Sequence, residues 1–231
     1  MRIGVIVPLS ARTEEELDER RDYLKRVCDR DTEIVMVKVD EGPVSLESEL
    51  GHEEASVQIA KKMIQLQNEG FDAFIPFCGG DPGLIAARER ISIPVIGPFQ
   101  SSCSIASLLG FKFSIVSPMP SPRLTELRLQ EIGLLGRLAS IRKIGIPLIE
   151  LRKDISKTLA TLEKVCEKAV TEDGADVIMF NCLSLFGMAE SLRGRVAVPI
   201  VDAGWASVRM AETVVRLGLS HSPLAYPYTK F

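Results

Sequence analysis

The chain has 231 residues, with 28 Lys and Arg against 31 Asp and Glu and a formal net charge of −3. That length can bury a full core, and the near-balanced charge offers no basic stripe of the kind nucleic acid requires. Hydrophobic residues are 46% and charged residues 26%, an ordinary globular composition, and no apolar run approaches the roughly 20 residues of a membrane span.

The chain opens on an apolar run, 2–7, that predicts a strand. It is too short for a signal peptide, and acidic residues from Glu14 to Glu16 follow at once. A helix is expected over 13–28, where Thr13 and Glu16 form a capping-box pattern. A strand at 33–39 and a helix at 53–69, closed by Gly70, come next. The pattern then predicts strand 71–77, helix 82–90, strand 94–96, helix 101–109, strand 111–117 and helix 122–134. Helix 156–171, strand 176–180, helix 187–192, strand 199–201 and helix 206–217 complete the series. Most strands are continuously apolar and rich in β-branched residues, as in parallel sheets buried on both faces. Strand alternating with helix predicts an α/β fold.

An internal repeat refines this. Gly70-Phe-Asp-Ala-Phe-Ile-Pro-Phe-Cys78 matches Gly174-Ala-Asp-Val-Ile-Met-Phe-Asn-Cys182, with 174 − 70 = 104 and 182 − 78 = 104. Ile93-Pro-Val-Ile96 matches Val198-Pro-Ile-Val201 at an offset of 105, and the opening strand echoes Lys112-Phe-Ser-Ile-Val-Ser-Pro118 at 110. The expectation is a duplication: two pseudo-symmetric parallel-sheet α/β units facing each other across a cleft. Residues 1–97 plus 205–231 would form the first unit, carrying Cys78, and 98–204 the second, carrying Cys182.

Ligands of open parallel sheets bind at the carboxyl ends of strands. Cys78 and Cys182 each fall just past such an end and before a helical segment, whose positive end would favour thiolate. One cysteine in such a place is ordinary packing. Two at matched positions of a repeat point to function, because packing does not demand the same side chain in both copies. Gly79 and Gly80 let a ligand approach the backbone, and their N–H groups suit an anionic oxygen. They also read as part of a turn, with Pro82 opening the next helix. The strand-end loops at Ser10 and Ser117 are symmetry partners, either ordinary Pro/Ser loops or oxygen-binding walls.

Cys28, Cys103 and Cys166 lie in helical patterns without repeat partners and read as core or incidental. The five cysteines show no CxxC spacing, and His52 and His221 lie beside no strand-end motif. Neither a disulfide framework, a zinc site nor a Cys-His nucleophile is expected. The thiols read as reduced and the protein as cytoplasmic. Two opposed thiols suit inversion of a carbon centre, one removing a proton and the other delivering one to the opposite face.

The segment from Phe77-Cys78-Gly-Gly-Asp-Pro-Gly-Leu-Ile-Ala-Ala-Arg to Glu89 resembles the first cysteine motif of the aspartate/glutamate/hydantoin racemase superfamily, closest to its hydantoin and allantoin branch. Pro43-Val-Ser-Leu-Glu-Ser48, Leu109-Gly-Phe-Lys-Phe-Ser-Ile-Val116 and the ending from Gly218 to Tyr226 are similar to that branch too. The resemblance implies a cofactor-independent racemase with Cys78 and Cys182 catalytic. It further implies substrate-oxygen contacts from Gly79, Gly80, Leu183 and Ser184, after the cysteines, and from Ser10 and Ser117. Departures strip polar groups from the expected pocket: Val7-Pro8-Leu9 in place of an Asn-Pro-Asn turn, Pro118 after Ser117, and Leu183-Ser-Leu-Phe186 intervening before Gly187-Met188.

The expected protein is thus an isomerase that inverts a carbon next to a carbonyl without metal or pyridoxal phosphate. Its substrate would be a small molecule, a 5-substituted hydantoin or related amino-acid derivative. Neither nucleic acid nor membrane is expected as a partner, and a homo-oligomer is the default for such an enzyme. Competing readings are a decarboxylase or cis–trans isomerase of small dicarboxylates, and a non-catalytic small-molecule binding protein.

Overall fold

The computed structural model describes residues 1–119 and 121–228; Pro120 and 229–231, which the expected unit boundaries include, lie outside the described residues. The chain divides into two compact units, Met1–Pro98 with Ser207–Phe231, and Phe99–Ala206.

The first unit is built on a parallel sheet of β1 (Arg2–Val7), β2 (Glu33–Lys38) and β3 (Ala73–Pro76), in the order β2-β1-β3. β1 is central. Ile3, Val5 and Ile6 are fully buried, as a strand covered on both faces requires. Helix α1 (Glu14–Lys25) starts at the expected capping box, with Thr13 and Glu16 satisfying each other's backbone N–H groups. Helix α2 (Glu49–Leu66) begins earlier than expected, because Ser48 is its N-cap and accepts from Gly51 N–H at 3.0 Å. Ile59, Met63 and Leu66 of α2 pack with Ile6 and Phe74 in the core of this unit.

Helix α3 (Leu84–Arg88) is short. Pro82 does not open it: left-handed Gly83, at φ +71°, is its N-cap. Residues 94–96 form no full strand. They make one bridge, Phe74 to Val95, in which Phe74 N–H donates to Pro94 O and Ile96 N–H to Phe74 O, both at 2.9 Å. Helix α4 (Pro98–Leu109) then leads into the second unit.

That unit is a four-stranded parallel sheet, ordered β5-β4-β6-β7, of β4 (Phe113–Ser117), β5 (Leu138–Lys143), β6 (Val177–Phe180) and β7 (Ile200–Asp202). β5 was not expected. Its sequence, LASIRK, is half polar because it is an edge strand, only partly buried. Arg142 fastens it: Nε and Nη2 grip the Asp173 carboxylate at 2.6 and 2.7 Å. Helices α5 (Pro122–Glu131), α6 (Ile155–Thr171) and α7 (Met188–Ser191) belong to the second unit. One face of its sheet carries Val116, Ile178 and Phe180 with Leu162 and Cys166 of α6, and the other carries Phe113, Ile115, Val177 and Met179 with Cys103.

The last helix, α8 (Ala203–Arg216), passes back into the first unit. There its buried Glu212 accepts from Asp29 N–H at 2.8 Å, Thr32 Oγ1 at 2.6 Å and Arg209 Nη1 at 2.9 Å. Cys28 lies beyond the end of α1 rather than within it, and burial beside Glu212 pushes its thiol above the usual cysteine value. Among the described residues, no helix is long and apolar enough to cross a membrane.

Candidate functional site

Each sheet reverses its direction of growth at one place. In the first unit the chain goes from β1 to β2 on one side and returns as β3 on the other; in the second, β4, β5 and β6 repeat the move. A crevice opens outside the carboxyl ends of the two strands flanking such a switch, and that is where open α/β sheets bind ligands. Ser10 follows β1 and Cys78 follows β3 at the first switch; Ser117 ends β4 and Cys182 follows β6 at the second.

The backbone turns sharply at Cys78. Its N–H donates to Pro76 O at 2.7 Å, a three-residue turn around Phe77. Asp81 N–H then donates to Cys78 O at 3.1 Å, closing a β-turn with Gly79 and Gly80 at its centre. Asp81 itself is left-handed, at φ 49°, the one described non-glycine residue there; Asp tolerates this better than most residues. Gly83 packs against α2 so closely that a β-carbon on it would fall 2.5 Å from Ser56 O. The Ser10 loop is fixed in the same way, since a β-carbon on Gly42 would lie 2.5 Å from Pro8 O.

Cys182 ends its strand differently. At φ −82° and ψ 120° it caps a single 3₁₀ turn, Leu183–Leu185, and Leu185 N–H donates to Cys182 O at 3.0 Å. The residues between Cys182 and Gly187 fold inward: Leu185 is fully buried, and the Arg152 guanidinium carbon lies 3.7 Å above the Phe186 ring. Ser184 is half-buried.

The two loops share one feature. Among the described residues, the N–H groups of Gly79 and Gly80, and those of Leu183 and Ser184, have no hydrogen-bond partner. Each cysteine is thus followed by two backbone N–H groups that the described residues leave unpartnered. Cys78 and Cys182 are both half-buried, whereas Cys103 and Cys166 are fully buried. Burial and the carboxylates of Glu163 and Glu167 push the Cys166 thiol up to about 12, which leaves it inert.

The expected help from helix ends is weaker than the sequence suggested. α3 has five residues and starts at Leu84, well past Cys78, and α7 has four and starts at Met188. Such short helices sum few peptide dipoles. The local N–H groups are the nearer source of positive potential. His221 lies near the C-terminal end, edge-on to Tyr226, and burial lowers its basicity. His52 sits in the first turn of α2.

One residue escaped the sequence reading. Asn181, between β6 and Cys182, carries a buried Oδ1 with no hydrogen-bond partner. Its only sequence signal is that it replaces Phe77 of the other copy, since 181 − 77 = 104.

Two parallel-sheet α/β units, each with a cysteine just past a strand at its switch point, make up the fold. The Asp/Glu/Hydantoin racemase family pattern matches residues 3–211. The hydantoin racemase of Pseudomonas sp. (strain NS671) is 34% identical over 206 residues, covering 88% of this chain and 83% of that protein. The hydantoin racemase of Paenarthrobacter aurescens is 32% identical over 225 residues, covering 96% and 94%. The crystal structure of allantoin racemase from Pseudomonas fluorescens superposes with a TM-score of 0.92 at 30% identity, covering 100% of this chain and 98% of that one. The chain belongs to the Asp/Glu/hydantoin racemase family, and it is an isomerase of the racemase class.

Proposed function

We propose that the protein racemises a 5-substituted hydantoin or a closely related cyclic ureide through Cys78 and Cys182. The observation that carries this reading is the matched placement of the two thiols, each just past the strand at a sheet's switch point and each followed by two unpartnered backbone N–H groups. The hydantoin and allantoin racemases among its relatives supply the substrate class.

The chemistry follows from the groups present. The hydrogen on a carbon next to a carbonyl becomes acidic when the carbonyl oxygen is hydrogen-bonded as the anion forms. Gly79 and Gly80 N–H, with Leu183 and Ser184 N–H, are the donors for the substrate's oxygens. One cysteine, as thiolate, takes the proton. The other, as thiol, gives its proton to the opposite face and is left as thiolate. The net change is inversion at carbon, with a proton exchanged between the two sulfurs. Ser10 and Ser117 line the neighbouring strand ends and contribute further polar contacts.

Polarimetry on a panel of enantiopure 5-substituted hydantoins, allantoin and free amino acids tests the proposal. Loss of rotation is expected with hydantoins or allantoin, without added metal or pyridoxal phosphate. No change with any cyclic ureide, or turnover of free amino acids alone, would remove the substrate assignment.

A further inference from the structure

The Asn181 side chain has no structural task that the fold makes visible. Its Oδ1 is buried without a hydrogen-bond partner, an arrangement that destabilises a folded protein. Nothing in the architecture calls for an amide here. The matching position in the first unit is Phe77, an apolar side chain that is itself buried, and the strand end before Cys78 forms without any polar group. The four residues of β6 that precede Asn181 are all buried and apolar. An amide at the end of such a run departs from the strand's own pattern, at the residue next to Cys182.

We infer that Asn181 is a specificity-determining residue whose amide oxygen accepts a hydrogen bond from a ring N–H of the substrate. This rests on the cyclic-ureide reading above. The residue as a whole is half-buried, so one side of the amide remains open, and a half-turn of its terminal torsion exchanges oxygen and nitrogen. A hydantoin ring alternates carbonyls with N–H groups. The backbone donors after each cysteine can serve its oxygens but not its N–H groups, which need an acceptor. Asn181 brings an acceptor whose capacity the protein leaves unused.

The test compares wild type with Asn181→Leu, a similar volume without the amide. Substrates are one enantiopure 5-substituted hydantoin and its N1-methyl and N3-methyl derivatives. The variant should melt at the same temperature or higher, because it removes an unsatisfied buried group. Its KM for the parent hydantoin should rise roughly tenfold, the worth of one good hydrogen bond, with kcat changed much less. On the derivative lacking the contacted N–H, wild type and variant should show the same KM. A lower melting temperature, or an equal rise in KM on all three substrates, would overturn the inference and leave the racemase reading intact. A wild-type protein inert on the parent hydantoin would overturn the ureide reading and this inference together.

Discussion

The Asp81 carboxylate lies against the backbone of Gly97, where a β-carbon would fall 2.5 Å from Asp81 Cγ. Asp81 is also the left-handed residue that closes the turn carrying Gly79 and Gly80. The two residues are far apart in sequence, yet the smallest side chain at one sets the position of the other. Gly97→Ala must therefore displace the Asp81 carboxylate and crowd Leu84, both beside the turn after Cys78. Overpacking of this kind costs about 1–3 kcal/mol. We expect a lower melting temperature and a kcat reduced by about an order of magnitude, because a misplacement near 1 Å at a reacting group costs up to roughly 10²-fold. Calorimetry and steady-state kinetics on the same preparation check both.

On the proposed two-thiol mechanism, replacing either Cys78 or Cys182 should stop racemisation. Cys78→Ala and Cys182→Ala are each expected to lose about 10²–10⁴-fold in kcat, the usual contribution of a general acid or base. Both cysteines are only half-buried at strand ends, Cys182 packing against the margin of the second unit's core, so the circular dichroism spectra should match wild type. Near-normal turnover by Cys182→Ala would remove the two-thiol mechanism.

Isotope labelling reports on the source of the new hydrogen. Starting from one enantiomer in deuterated water, early product should carry deuterium while recovered substrate stays protiated. The abstracted proton remains on one sulfur, and the incoming deuteron arrives from the other. Equal early labelling of substrate and product, read by mass spectrometry, would favour a single base exchanging with solvent.

Alkylation of the native protein should discriminate among its cysteines. Cys103 and Cys166 are fully buried, and the Cys166 thiol is pushed up to about 12. Brief iodoacetamide treatment near neutral pH should modify Cys78 and Cys182 and spare these two, and activity should fall in step with labelling. Peptide mapping identifies the modified sites.

The edge strand β5 makes stability depend on acid pH. The hydrogen bonds from Arg142 hold the Asp173 carboxyl below its ordinary value. A group whose pKa is lowered by folding stabilises the protein fully above its unfolded pKa, and this is lost as pH falls through the lowered folded value. Asp173→Asn should therefore be less stable than wild type at neutral pH, with the difference shrinking below about pH 4. Urea melts from pH 7 down to pH 3 measure this.

The central strands were legible because they are buried on both faces. Residues 2–7 and 176–180 are apolar almost throughout, and only a two-sided core imposes that pattern. The repeat made the strand-end positions of Cys78 and Cys182 visible, since chain order and offset alone put them in register. What stayed hidden depends on neighbours distant in sequence. β5 is half polar, and it becomes a strand only by pairing with β4 and through the grip of Arg142 on Asp173. Residues 94–96 match a strand of the other copy, yet they make only one bridge to Phe74.

The order of residues along the chain by itself determined that it folds as an α/β protein and where its cysteines fall relative to the strands. Local patterns of burial and capping carry that information, because a strand or a helix cap is written in adjacent residues. Tertiary structure alone decided which side chains and N–H groups remain unsatisfied. Asn181 is an unremarked residue in the sequence, and Gly97 an ordinary one. A missing hydrogen-bond partner, or a missing space for one carbon atom, exists only once distant segments have packed together.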